Sequence, residues 1–267
     1  MTDKQHPSRF ATDAVHSGTQ HIGDAVNTPI FQSSTYKLTD ERYAGWAAGA
    51  QHTLLYARLS TVNSDAVAQK LMALEGGEDA ETFSSGMGAI SATLMALLNQ
   101  GDHMVASADI YGGTYGLLTE EFPRFGISTT MADMRDPASY EAAIQENTKL
   151  LYIETLTNPV LKVCDIEAMA DVAKRHNLLL LIDNTFASPW GCKPLDMGVD
   201  LVLHSTTKYL GGHSDILGGA VVGSKDLIAQ IFMRKVHVGA APDPHSCYLL
   251  ERGMRTVDVR MPRSCAH

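Results

Sequence analysis

Leu178-Leu-Leu-Leu-Ile-Asp183 is the stretch on which the reading of the fold turns. Its first five residues are apolar at both parities, whereas a strand wetted on one face would alternate. A run of this kind suits a strand covered on both faces, as in a parallel sheet layered between helices. The run then ends on a carboxylate. Taking a carboxylate out of water is costly unless a cation meets it, so Asp183 is expected to face either a Lys or Arg of the protein or a cationic ligand.

Working outward, short apolar runs alternate with helical stretches. Strands are predicted at 80–83, 103–107, 150–154, 178–183, 201–204 and 220–222. Helices are predicted at 66–74, 89–99, 115–125, 138–146, 167–176 and 225–236, the first of them closing at Gly76-Gly77. Alternation at this spacing implies crossover connections and an α/β fold with a mostly parallel central sheet covered by helices. In such sheets ligands sit beyond the carboxyl ends of the strands. Residues 1–65 read as irregular, rich in Thr, Ser, Gly and Gln, and are expected to form an extended arm that packs on a second subunit.

Composition narrows the function. With 30 Asp and Glu against 21 Lys and Arg among 267 residues the formal charge is −9, the wrong sign for a chain that tracks phosphate backbones. Hydrophobic residues at 45% are enough for a packed core, and no apolar run reaches the roughly 18–20 residues that span a bilayer. Met1-Thr-Asp-Lys-Gln-His-Pro-Ser-Arg-Phe10 lacks the apolar centre of a secretory signal, so a cytoplasmic protein is expected. Cys164, Cys192, Cys247 and Cys265 are far apart and no His pair has ligand spacing, so neither a metal nor a disulfide is expected.

The predicted strand ends carry unusual residues. Ser84-Ser-Gly-Met-Gly-Ala89 lies between a strand and a helix, where glycine admits close backbone approach and free N–H groups favour an anion. It is either an anion loop or simply a tight turn. It is not the dinucleotide fingerprint, because Ser91 stands in place of the third glycine, and no Gly-Lys-Ser/Thr follows to make a P-loop. Tyr111, in Tyr111-Gly-Gly-Thr-Tyr115, is placed to stack on a flat ring or to pack as an ordinary aromatic. Glu154-Thr-Leu-Thr-Asn158-Pro159 makes a turn at another strand end. His204-Ser-Thr-Thr-Lys208-Tyr209, followed by Gly211-Gly-His-Ser-Asp215, sets hydroxyls beside an amine. A lysine forms a Schiff base when burial or nearby positive charge keeps its amine neutral. Taken together, an anion loop, an aromatic platform, an asparagine turn, a buried carboxylate and a hydroxyl-flanked lysine could hold a phosphorylated pyridine aldehyde, with Asp183 on the pyridinium nitrogen.

In these residues the chain resembles the Cys/Met-metabolism (trans-sulfuration) family of pyridoxal-phosphate enzymes, which includes cystathionine γ-lyase, cystathionine γ-synthase, methionine γ-lyase and O-acetylhomoserine sulfhydrylase. The likeness runs from Phe10-Ala-Thr-Asp-Ala-Val-His-Ser-Gly18 to Arg252-Gly-Met-Arg-Thr256 and is most specific in residues 204–215 and in Asp183-Asn-Thr-Phe-Ala-Ser-Pro189. It implies a fold type I, aminotransferase-like large domain over 66–250. It implies pyridoxal 5'-phosphate as cofactor, and a sulfur amino acid as substrate. Lys208 then corresponds to the Schiff-base lysine, Asp183 to the partner of the ring nitrogen, and Tyr111 to the stacking residue that helps proton movement. Asn158 corresponds to the group near the ring hydroxyl, and Gly86, Met87, Ser205 and Thr207 to the phosphate cradle. Tyr56 and Arg58, in Leu55-Tyr-Ala-Arg58, correspond to the pair that reaches the phosphate of a neighbouring subunit, which implies at least a dimer or a tetramer.

The chain departs from the family pattern in several places. Ser60-Thr-Val-Asn63 stands where an Asn-Pro-Thr run is usual after the arginine. Gly113 stands where typical methionine γ-lyases have cysteine, and Gly116 where enzymes acting on cystathionine often have arginine. Gly212-His-Ser-Asp215 fits the lyase and acetylhomoserine branches better than the succinylhomoserine one. Residues 251–267 are expected to begin the helix that leads into the family's C-terminal domain, which normally supplies the arginine that grips the substrate carboxylate. The expected activity is γ-elimination or γ-replacement on cystathionine, methionine or an O-acylhomoserine. The alternatives are a truncated, non-catalytic relative that associates with full-length subunits, and a nicotinamide dehydrogenase, which the incomplete glycine fingerprint disfavours.

Overall fold

The computed structural model describes residues 7–267. Strands β1 (Asp79–Phe83), β2 (His103–Ser107), β3 (Ser128–Ala132), β4 (Thr148–Glu154), β5 (Leu179–Asp183), β6 (Leu201–His204) and β7 (Gly219–Gly223) form one sheet in the order β1-β7-β6-β5-β4-β2-β3. The pairings from β3 through β6 are parallel, and β7 alone runs against its neighbours β1 and β6. The carboxyl ends of β2, β4, β5 and β6 therefore share one edge. The arrangement is α/β, a mostly parallel sheet covered by helices, of the fold type I kind that the resemblance implies.

Alternate residues of the central strands go to opposite faces, as the pleat demands. Leu150, Tyr152, Leu181, Leu201 and Leu203 pack with α4 (Gly86–Leu97) and α9 (Lys225–Val238). Leu151, Ile153, Leu180, Ile182 and Val202 go to the other face, against α7 (Ile166–Arg175), with α6 (Pro137–Ala143) on the same side; α8 (Ser188–Gly191) is a single turn after β5. On that same side Ala80, Ala220 and Val222 meet α3 (Val62–Glu75). Leu180, Leu181 and Ile182 are fully buried. Each such side chain contributes about 1.5–3 kcal/mol, so the strand ending on Asp183 is firmly anchored.

All six sequence-predicted strands are present, with ends moved by at most two residues. β3 is not apparent in the sequence. It is an edge strand of Ser128-Thr-Thr-Met-Ala132, only its last residue is buried, and it carries no apolar run. The helix expected at 115–125 is broken into α5 (Gly112–Gly116), a wide turn at Leu117–Glu121 and a tight turn at Phe122–Phe125 containing Pro123. The first 65 residues are less irregular than their composition suggests, since α1 (Pro7–His16) and α2 (Asp40–Ala47) form there. Buried Lys70 donates from Nζ to the carbonyls of Ala14 and Val15, at 2.9 and 3.3 Å, and so caps the end of α1. Helix α3 starts at Val62, ahead of the expected residue 66, because Thr61 and Ser64 form a reciprocal capping box. It ends at Gly76, whose φ of 83° favours glycine.

Residues 252–261 span the end of α10 (Pro244–Met254) and the start of α11 (Val257–Cys265), with a break between them. Among the described residues no helix is long and apolar enough to cross a membrane.

Candidate active site at the carboxyl edge of the sheet

A cavity of about 1280 Å³ opens at the shared strand edge. Every candidate residue named from the sequence lines it except Tyr56 and Arg58. The strand order explains why: Tyr111, Asn158, Asp183 and Lys208 each follow, or end, a different strand of the parallel block.

One end of the cavity is built for an anion. Helix α4 begins at Gly86, and the Ser85 side chain caps it by accepting from the Gly88 N–H at 2.9 Å. The N–H groups of the first helical turn have no acceptor within the helix and point to its open end. Gly86 is required by space. A Cβ there would lie 2.8 Å from Ser205 Cβ and 2.9 Å from its Oγ, so the bare backbone lets the Ser205 hydroxyl approach the helix start. Ser205 is in turn fixed by its N–H, which donates to Thr185 Oγ1 at 2.8 Å. The Thr207 hydroxyl accepts from the Gly218 N–H at 3.1 Å, which ties the Lys208 turn to the chain entering β7.

The other end is acidic. Asp183 Oδ1 accepts from the Thr185 N–H at 3.0 Å, and no Lys or Arg among the described residues forms an ion pair with it. Burial pushes its carboxyl pKa above the ordinary value, more than the bonds from Thr185 lower it. Its cross-strand neighbour is Glu154, the residue in register on β4. Burial, with the charge of Asp183 second, pushes Glu154 up to about 8. Glu154 also accepts from the backbone N–H groups of Tyr111 at 2.8 Å and Asn158 at 3.3 Å, and so places both of those candidates. Glu154 was within reach of the sequence argument: it closes a buried strand as Asp183 does.

Tyr111 precedes α5 and is about half exposed to the cavity. Its ring lies against Gly113 and Met87. A Cβ at 113 would fall 2.6 Å from Tyr111 Cε1 and 3.1 Å from Met87 Sδ. Lys208 sits on the turn after β6, its N–H donating to the Ser205 carbonyl at 3.2 Å. Its side chain is exposed in the cavity and has no hydrogen-bond or ion-pair partner among the described residues.

Sequence reasoning missed two arginines of α11 that line the same cavity, Arg260 and Arg263. Arg260 braces the lysine turn, donating to the carbonyls of Tyr209 at 2.6 Å and Gly253 at 2.8 Å and to Thr256 Oγ1 at 3.0 Å. Gly212, at φ 75°, gives it room, since a Cβ there would meet Arg260 Nη1 at 2.1 Å. Arg263 is exposed and unpaired among the described residues. Nothing local in the sequence separates these two from ordinary surface arginines, because their role depends on where α11 docks.

Tyr56 and Arg58 stay together but away from the cavity. Arg58 Nη1 donates to the Val236 carbonyl at 3.0 Å, and its guanidinium stands 5.4 Å from the centre of the Tyr56 ring, which is 44% exposed.

The donor set fits pyridoxal 5'-phosphate. Helix N–H groups and the Ser205 hydroxyl suit the phosphate. A buried and a half-buried carboxyl group, both lacking a protein cation, suit a protonated ring nitrogen, Tyr111 suits the ring face, and an unpaired amine suits the aldehyde.

Comparison with known proteins agrees. The sequence model of the Cys/Met metabolism PLP-dependent enzyme family matches residues 11–266. L-methionine gamma-lyase of Porphyromonas gingivalis is 42% identical over 263 residues, 97% of this chain and 66% of that protein. Cystathionine gamma-lyase of Bacillus subtilis is 45% identical over 238 residues, 89% of this chain and 61% of the other. The crystal structure of cystathionine gamma-lyase from Lactobacillus plantarum complexed with L-serine superposes with a TM-score of 0.86 at 40% identity, covering 94% of this chain and 64% of that one. The chain thus spans just under two thirds of the length of these relatives. Pyridoxal 5'-phosphate is the cofactor of the family, and with its motifs, its fold and its cavity in agreement, the chain belongs to the Cys/Met metabolism PLP-dependent enzymes.

Proposed function

We propose that the chain carries the cofactor-binding and proton-transfer machinery of a carbon–sulfur lyase or γ-replacement enzyme acting on methionine, cystathionine or an O-acylhomoserine. One observation carries the reading: the Lys208 amine, the Asp183–Glu154 carboxyl pair and the Gly86–Ser205 anion cradle open into a single cavity. The names of the relatives point to the same substrate class.

When bound, the cofactor's pyridinium ring draws electrons from the bonds of the substrate's α-carbon. The chain does the rest. Asp183 would pair with the ring nitrogen and hold its proton, while Glu154 sets the backbones of Tyr111 and Asn158. Gly86, Met87, Ser205 and Thr207 hold the phosphate, which fixes the ring's rotation in the cavity. Lys208 would hold the cofactor at its aldehyde, and its Nζ would serve as the base for the substrate's α-proton, with a stem long enough to serve the γ-carbon as well. Tyr111 supplies a second hydroxyl at the ring face. Holding a base and a reacting carbon in register is worth about 7–11 kcal/mol in well-aligned systems, and the Arg260 brace on the lysine turn serves that end. Tyr56 and Arg58, exposed and outside their own cavity, face the phosphate of a second copy, so the working unit is at least a dimer.

Borohydride reduction of the loaded protein followed by peptide mapping tests the central assignment. Modification at Lys208, lost in Lys208→Ala, is the expected result; an unmodified Lys208 in loaded protein overturns the reading. Steady-state turnover of methionine, cystathionine and O-acetylhomoserine then ranks the substrates.

A further inference from the structure

Behind the cavity, on the opposite face of the sheet, lies a polar cluster that the chemistry above does not use. His204 Nε2 is 2.5 Å from Glu75 Oε1, and the two side chains are 1% and 0% exposed. Asn184 Nδ2 donates to the same Glu75 oxygen at 3.2 Å and to the Cys192 carbonyl at 3.0 Å, while its Oδ1 accepts from Thr155 Oγ1 at 2.7 Å. Glu75 Oε2 and His204 Nδ1 have no hydrogen-bond partner. The cluster therefore joins the last turn of α3 to the ends of β4, β5 and β6.

Parity gives it meaning. Asn184 follows Asp183, Thr155 follows Glu154, and His204 precedes Ser205. Along each strand the site residue shares the face of Leu150, Leu181 and Leu203, and the cluster residue shares that of Ile153, Ile182 and Val202. Every cluster member on the sheet is thus the chain neighbour of a residue that lines the cavity. A buried polar network costs stability unless its members are satisfied, and two of its atoms here are not, so apolar packing would hold the strands together at least as well. What such packing lacks is direction. Hydrogen bonds of fixed length set the rotation and height of three strand ends relative to one another.

We propose that Glu75 and His204 are positioning residues: a buried carboxylate–imidazole pair that, through Asn184 and Thr155, fixes the relative placement of Asp183, Glu154 and Ser205 and so matches the spacing of the acidic and anion-binding ends of the cavity to one rigid ligand. The proposal rests on the reading of the cavity as the pyridoxal-phosphate site, and its test separates the two.

The 267-residue chain is titrated with pyridoxal 5'-phosphate, following affinity and the induced circular dichroism of the bound chromophore, which reports how the ring is held. Glu75→Leu is expected to weaken binding about ten-fold, the equivalent of one lost buried hydrogen bond, and to reduce the induced signal of the fraction that still binds. Glu75→Gln, which keeps an acceptor for His204 and Asn184, is expected to recover most of both. Thr155→Val deletes a single hydroxyl at constant shape, and an intermediate loss of the induced signal is expected. It decides the matter should Glu75→Leu fail to fold. If the parent chain takes up no cofactor, the reading of the cavity falls and the proposal with it, before any variant is needed. If the parent binds and the folded variants match it in affinity and induced signal, or Gln and Leu are equally impaired, the positioning role alone is overturned.

Discussion

Glu154 and Asp183 end adjacent parallel strands in the same register, so two carboxyl groups stand side by side at the floor of the cavity with no lysine or arginine of the described chain paired to either. Burial, and then the neighbouring charge of Asp183, push the Glu154 carboxyl from its ordinary 4.5 up to about 8. A carboxyl whose folded pKa is raised binds its proton more tightly folded than unfolded. Its stabilising contribution is therefore complete below about 4.5 and is lost as pH climbs to about 8. Urea unfolding of the cofactor-free protein across that window should show the parent losing on the order of 5 kcal/mol relative to Glu154→Gln. Parallel pH profiles for the two proteins would contradict the assignment.

Gly86 tests the anion end. A methyl group there meets the Ser205 side chain at 2.8 Å and Cα at 3.2 Å, which forces the helix start and the serine apart. Gly86→Ala should weaken pyridoxal 5'-phosphate by about ten-fold or more while changing the affinity for unphosphorylated pyridoxal much less. Equal losses for both ligands would place the phosphate elsewhere.

Gly113 tests the aromatic platform. The Cβ that Gly113→Ala adds collides with the tip of Tyr111 and with Met87 Sδ, both side-chain atoms that can move. The ring should therefore shift at little global expense, with the melting temperature changing by about 2 °C or less. Cofactor affinity should fall about three-fold or more as the stack loosens. An unchanged affinity would remove Tyr111 from the ring face.

Arg260 tests the lysine turn. Its guanidinium donates to the backbone carbonyls of Tyr209 and Gly253; Arg260→Met leaves the Tyr209 carbonyl without a donor, while Thr256 still donates to that of Gly253. Hydrogen exchange across residues 208–212 should speed up, and borohydride trapping at Lys208 should slow, while exchange in β4 and β5 stays as it was. A turn equally protected in the variant would show that α11 is dispensable for it.

The sheet was legible from sequence because buried parallel strands are apolar at both parities, and the site because its chemistry-bearing residues sit at strand ends. Leu178 to Asp183 carries both messages at once. β3 was not legible, since an edge strand such as Ser128-Thr-Thr-Met-Ala132 needs no apolar run. Nor was the reversed direction of β7, because a short apolar segment has no orientation of its own. Helices α1 and α2 were hidden by a composition that suggested a loop; Lys70, 56 residues beyond Ala14, supplies the cap that ends α1. Separation in sequence also concealed the Glu75–His204 pair, 129 residues apart, and the reach of Arg260 to Tyr209, 51 residues away.

The reversal of β7 also bears on how this architecture can be altered. Neighbouring strands that run in opposite senses require no handed crossover between them, so the fourteen residues from 205 to 218 simply double back across the rim. Their length is not dictated by a helix that must span the sheet. Lys208 therefore rides on the one connection in the parallel-block neighbourhood that can be lengthened, shortened or swapped as a cassette without rewinding the layers around it.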